Sequence, residues 1–170
     1  MALAESTGSR ASFGVILTGR SMVRRAQGRL QEAADAAEEA LAVYRRTKLL
    51  SGEALSLALL GFATERLGDS SQAEELHAQA LAVSSRLGDE RLVALALEGL
   101  AGVAAALGDH ERGGELLGLA GHLRDLNGAP SGPASDEVRI GEVILDALGP
   151  DRFDEVRRRG RDADVDSLVH

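Results

Sequence analysis

The sequence predicts an all-α protein, a stack of helical hairpins closed at one end by further helices. Three observations carry this reading. Glycines recur forty residues apart, at Gly28, Gly68 and Gly108. The three prolines all lie between Pro130 and Pro150, which leaves residues 9 to 127 free of the strongest helix breaker. Between the glycines, apolar residues return at helical rather than alternating spacing.

The elements follow in order. After a flexible segment over 1–10, the first hairpin is expected to pair helices near 11–27 and 30–47. The second pairs 52–67 with 70–87, and the third 90–107 with 110–126, so that three repeats of forty residues fill 11–127. Each glycine ends one amphipathic segment, because a residue without a Cβ takes the left-handed helix-ending conformation at no steric cost. Asp69 and Asp109 follow two of these glycines and are good N-caps for the next helix. A loop is expected over 128–135, where Gly128, Pro130, Gly132 and Pro133 cluster. Beyond it, Val138, Val143, Ile144, Leu145 and Leu148 recur at roughly helical spacing, Gly149-Pro150 interrupts, and a short helix restarts at Asp151. A terminal repeat cannot leave its apolar face in water, so residues 136–170 are expected to form capping helices.

The forty-residue register persists inside the helices. In the second helices, Ala33, Ala73 and Gly113 are equivalent, as are Ala40, Ala80 and Ala120. In the first helices, Leu17, Leu57 and Leu97 precede Ser21, Gly61 and Ala101 by one helical turn, setting a large residue beside a small one. The third unit is rich in glycine, at Gly99, Gly102, Gly113, Gly114, Gly118 and Gly121. Each mid-helix glycine costs roughly 1 kcal/mol relative to alanine. Close approach of another helix would offset that cost, whether it comes from the C-terminal cap or from a second subunit.

These residues resemble the tetratricopeptide-repeat pattern over 12–127: an apolar residue, a small one further along the first helix, a glycine at the turn, and two alanines on the second helix. They depart from it in lacking the usual aromatic residues and in repeating at forty rather than roughly 34 residues. The resemblance implies a right-handed superhelical stack whose first helices line a concave groove. The register then puts Thr18, Met22 and Arg25 on that groove from the first repeat, with Leu55, Phe62, Glu65 and Arg66 from the second. Glu98 and Gly102 come from the third. The competing reading makes Met22 and Phe62 core and leaves Glu65 and Arg66 as a solvated edge.

A second resemblance rests on the run from Leu97 to Gly108, on Leu116-Leu117-Gly118, Leu123-Arg124 and Gly128-Ala129-Pro130. It is similar to the C-terminal helical-repeat sensor region of MalT-like and LuxR-type bacterial regulatory ATPases. The ATPase module itself has no counterpart: Lys48 is the sole lysine and follows Arg46-Thr47 rather than a glycine-rich phosphate loop.

Composition narrows the partners. A net charge of −8 and 2% aromatic residues with no Trp argue against nucleic acid, which attracts basic and stacking surfaces. The absence of Cys excludes disulfides and thiolate metal sites. No stretch approaches the roughly 20 apolar residues of a membrane span, and the start lacks a leader pattern, so no membrane contact and a cytoplasmic location are expected. His77, His110, His122 and His170 are scattered without ligand spacing. The run Arg157-Arg158-Arg159-Gly160-Arg161 is flanked by six acidic residues that neutralise its field. No catalytic residue, metal ligand or cofactor is expected. The chain reads as a binding module for a protein or peptide partner or a small effector, with a homodimer possible. The alternative is a small-molecule-transforming accessory enzyme on the same fold. An effector pocket would require the segment 136–159 to close over the repeats.

Overall fold

The computed structural model describes residues 2–128 and 135–169. Among them it holds nine helices and no strand: α1 (Ala2–Ala26), α2 (Leu30–Thr47), α3 (Leu50–Arg66), α4 (Ser70–Leu87), α5 (Glu90–Ala106), α6 (His110–Leu126), α7 (Asp136–Leu148), α8 (Pro150–Arg161) and α9 (Val165–Val169). The protein is an all-α helical repeat. It divides into two compact units between Asp89 and Glu90, with α1–α4 in the first and α5–α9 in the second.

Helix ends obey the forty-residue series. Gly28, Gly68 and Gly108 have φ of +74°, +97° and +86°. Asp69 and Asp109 cap the next helices, accepting from the Gln72 and Arg112 amides at 3.0 and 3.2 Å. A second series, which the glycine pattern alone does not reveal, ends the other helices at Lys48, Gly88 and Gly128, with φ of +56°, +65° and +60°. The sequence places a flexible segment at 1–10, but α1 runs from Ala2. Ala2-Leu3-Ala4-Glu5 are strong helix formers and let the helix extend towards its N-terminus. The loop expected at 128–135 lies outside the described residues except at its two ends.

In the first unit, α1 packs on α2, α2 on α3, and α3 on α4. Small side chains set the spacing: Ala33, Ala36, Ala37 and Ala40 of α2 are fully buried. The Tyr44 ring is wedged against Gly14 of α1 and Gly52 of α3, and a Cβ at either position would collide with it. Where α1 meets α2, the buried Ser21 hydroxyl donates to the Ala33 carbonyl at 2.8 Å, which satisfies a polar group that burial would otherwise penalise.

In the second unit, α5 and α6 form a hairpin on which α7 and α8 rest. The glycines of α6 make this possible. Ile144 sits over Gly113 and Val156 over Gly114, while a Cβ on Gly118 would strike the Arg157 backbone. Reciprocally, a Cβ on Gly160 of α8 would strike the Glu115 carbonyl. The C-terminal helices therefore supply the close contact that offsets the glycine cost. The arginines of α8 fasten it: Arg152 to Glu111 at 2.7 Å, Arg159 to Glu115 at 2.9 Å, Arg161 to Asp125 at 2.5 Å and Arg157 to Glu137 at 3.4 Å.

Candidate binding surfaces

The two units each carry a candidate surface. In the first, the residues that the register selects fall at different depths. Thr18 is buried, and its hydroxyl donates to the Val15 carbonyl at 2.9 Å. Phe62 is buried as well, at 1% exposure. The Arg25 guanidinium carbon lies 5.0 Å from the Phe62 ring centroid, a cation–π contact between α1 and α3. Arg66 donates from Nη1 to the Arg25 carbonyl at 3.2 Å. Arg25, Phe62 and Arg66 are thus brought together, while Met22 is half exposed and Leu55 and Glu65 partly so.

On the core side, His77 of α4 meets Phe62 edge to face with ring centroids 4.8 Å apart. It also lies against Gly61, where a Cβ would come within 2.6 Å of its Nε2. Neither ring nitrogen has a hydrogen-bond partner. Burial pushes the imidazole pKa down to about 3, and the Arg25 charge adds to the shift, so the ring is neutral at ordinary pH. From sequence, His77 is one histidine among four. The forty-residue register makes it the counterpart of Ala37 and Leu117, two apolar positions that signal burial, and Gly61 gives the larger ring its room.

In the second unit, Gly102 and Glu98 are buried, Glu98 at 1% exposure. Arg124 of α6 grips the Glu98 carboxylate with two hydrogen bonds, Nε to Oε1 and Nη2 to Oε2, the latter at 2.8 Å. Burial pushes the Glu98 carboxyl up, against the opposing pull of Arg124. Arg124 is in turn held more firmly protonated, chiefly by its hydrogen bond to Glu98. Glu98 therefore faces a partner inside the hairpin, not open solvent.

Arg124 also lines a cleft of about 460 Å³ among α6, α7 and α8. Val138, Leu145 and Phe153 supply apolar wall, and Asp125, Glu137, Arg157 and Arg161 supply charge. The Arg157 guanidinium carbon stands 5.6 Å from the Phe153 ring centroid. The groove residues chosen from the repeat register include none of these, because the cleft is built by the capping helices. One signal was legible: Glu98 is the sole charge in α5 beyond its first two residues, and a charge inside an apolar helix calls for a partner.

Among the described residues, no group of three or more His, Asp or Glu side chains is placed to hold a metal ion. No helix among them is long and apolar enough to cross a membrane. A family model described as Tetratricopeptide repeat matches residues 12–86. That match supports a tetratricopeptide-repeat domain in the part of the chain that holds α1 to α4. No curated protein matches the chain.

Proposed function

We propose that the chain is a binding module that holds a segment of a protein partner against the α1 and α3 face of its first unit. The observation that carries this reading is the tetratricopeptide-repeat match at residues 12–86, since such repeats generally mediate contacts between proteins. The first helices of those repeats present the half-exposed Met22 and the partly open Leu55, Arg25 and Arg66. Met22 is an adaptable thioether suited to varied apolar side chains. Arg66 is already anchored on the Arg25 carbonyl, so less freedom is lost when it meets a carboxylate. The segment this face suits has an apolar side chain for Met22 and Leu55 and an acidic one for Arg66. The resemblance to regulatory ATPase sensor arms supports a reading in which the module serves a cytoplasmic bacterial regulatory or biosynthetic system.

A second reading is favoured by the cleft of the second unit, whose volume of about 460 Å³ suits a small effector. Phe153 and Leu145 would stack on its apolar part. Acid–base chemistry has less support there, because Glu137 and Asp125 are each matched by an arginine, Arg157 and Arg161.

Peptide-display selection on the full chain, followed by calorimetric titration of the selected peptides, separates these readings. Met22→Asp and Arg66→Ala are expected to weaken binding at least about tenfold, a loss of about 1.4 kcal/mol, while Arg161→Ala leaves it unchanged. Selected peptides that ignore both first-unit substitutions and lose affinity with Arg161→Ala would move the site to the cleft and overturn the first reading.

A further inference from the structure

The cleft of the second unit is lined by charges that are not all partnered. Its three arginines are each committed to a carboxylate: Arg124 to the buried Glu98, Arg157 to Glu137 at 3.4 Å and Arg161 to Asp125 at 2.5 Å. The remaining charged residue of the lining is Glu142. Among the described residues, none forms an ion pair with its carboxylate. The lining and its partners together hold three positive charges against four negative ones. An anion entering the cleft must draw an arginine away from a carboxylate that already holds it, whereas a cation meets Glu142 directly.

Glu142 sits among the apolar wall of the cleft. On α7 it follows Val138 by four residues and precedes Leu145 by three, so the three side chains share one face of the helix. Val138 and Leu145 are 38% and 36% exposed, which leaves apolar surface open beside the charge. Phe153 of α8 lines the same cleft, and Gly141 lays no side chain in the way: a Cβ there would stand 3.8 Å from Leu117 and from Phe153, in ordinary contact.

We propose that this cleft binds a small organic amine, an ammonium group on an apolar or aromatic body, with Glu142 receiving the ammonium and Val138, Leu145 and Phe153 the body. The proposal rests on the small-effector reading of the cleft and adds the charge of the ligand. The ammonium donates to the Glu142 carboxylate in a charge-assisted hydrogen bond. The body covers the apolar wall that α7 leaves in water. A volume of about 460 Å³ holds one ring and a short chain. The net charge of −8 acts in the same direction, since it concentrates cations near the protein and repels anions.

The test uses three probes of one shape. Phenethylamine, hydrocinnamate and phenethyl alcohol set an ammonium, a carboxylate and a hydroxyl on the same ring and spacer. Each is titrated into the isotope-labelled full chain while the amide resonances of Gly121, Gly141 and Phe153, all in the lining, are followed by NMR. Phenethylamine is expected to shift these resonances and to bind at least about tenfold more tightly than hydrocinnamate. Glu142→Gln keeps the shape of the side chain and removes its charge. It is expected to weaken phenethylamine about fivefold, because the ammonium contact is open to water on one side, and to leave phenethyl alcohol unchanged. Glu142 is exposed, so the far-ultraviolet circular dichroism of the variant is expected to match that of the native chain. Tighter binding of hydrocinnamate than of the amine, or amine binding indifferent to Glu142→Gln, overturns the proposal and leaves the cleft as an effector site of another kind. If none of the three probes shifts these resonances, the effector reading falls and the proposal falls with it.

Discussion

Lowering the pH from 7 to 5 is expected to destabilise the unit that contains His77 by about 2 kcal/mol through that residue alone. The imidazole is fully buried against Gly61 and Phe62, and neither nitrogen has a hydrogen-bond partner. Its pKa falls from 6.5 to about 3 through burial and, secondarily, the charge of Arg25. Between those two values the unfolded chain takes up a proton that the folded chain refuses. Stability therefore drops as the pH falls through 6.5 and levels off only near 3. At pH 5 the deficit is one and a half units, or about 2 kcal/mol at roughly 1.36 kcal/mol per unit. His77→Leu removes the titrating group and keeps an apolar side chain in the same space. At pH 7 this variant should be at least as stable as the native chain, because a buried polar group without a partner costs roughly 1–3 kcal/mol. Urea unfolding followed by circular dichroism at pH 7, 6 and 5 measures both proteins, and titrations common to them cancel in the difference. The advantage of His77→Leu is expected to widen by about 2 kcal/mol between pH 7 and 5. An advantage that does not change with pH would refute the reasoning, because it would mean that His77 titrates alike in the folded and unfolded chain.

Four further substitutions probe other parts of the fold. Gly118→Ala should cost about 2 kcal/mol or more, since the new methyl meets the Arg157 backbone, which cannot step aside; Gly121→Ala meets only the tip of the Arg157 side chain at 3.2 Å and should be near neutral, and thermal melts of the two compare them. Arg124→Met leaves the buried Glu98 carboxylate without its partner and should cost about 3 kcal/mol at pH 8. Because burial already raises the Glu98 pKa, the folded variant keeps a proton that the unfolded chain has released, so stability is lost as the pH rises and urea melts should show a smaller cost at pH 5. Lys48→Gly should raise the melting temperature, with a gain of about 1 kcal/mol, because Lys48 holds a φ of +56° that its neighbours in the series assign to glycine.

The helical hairpins were legible because their signals are local. A glycine every forty residues, an Asp behind two of them, and an alanine stripe between them each report on a few neighbouring residues. Lys48 escaped the same logic because a side chain hides the helix-ending conformation that Gly88 and Gly128 announce. Register does not give the depth of the residues it assigned to a groove, of which Thr18, Phe62, Glu98 and Gly102 are buried. Register tells which side of a helix Phe62 occupies, but its depth depends on Arg25 from another helix lying across its ring. The cleft was the least legible part, since Phe153, Arg157 and Glu137 meet Arg124 only after α7 and α8 fold back on α6.

A core made of Ala, Gly and Leu leaves a problem that apolar burial alone does not solve. Uniform small side chains permit one helix to slide along another at little cost, and the buried faces of α5 and α6 are built almost entirely of such residues. The Glu98–Arg124 pair removes that freedom. A buried charge gripped by two hydrogen bonds is satisfied in one alignment only, and a slip of one turn would leave Glu98 buried and unmatched. Arg152, Arg157, Arg159 and Arg161 of α8 repeat the device at the surface, meeting carboxylates on α6 or α7. Exposed pairs contribute little stability singly, so their weight lies in alignment: with Gly118 and Gly160 interlocked against backbone, they fix where α8 crosses α6. The wall of the cleft is set by the same crossing, which makes the glycine contacts as necessary to its shape as the residues that line it.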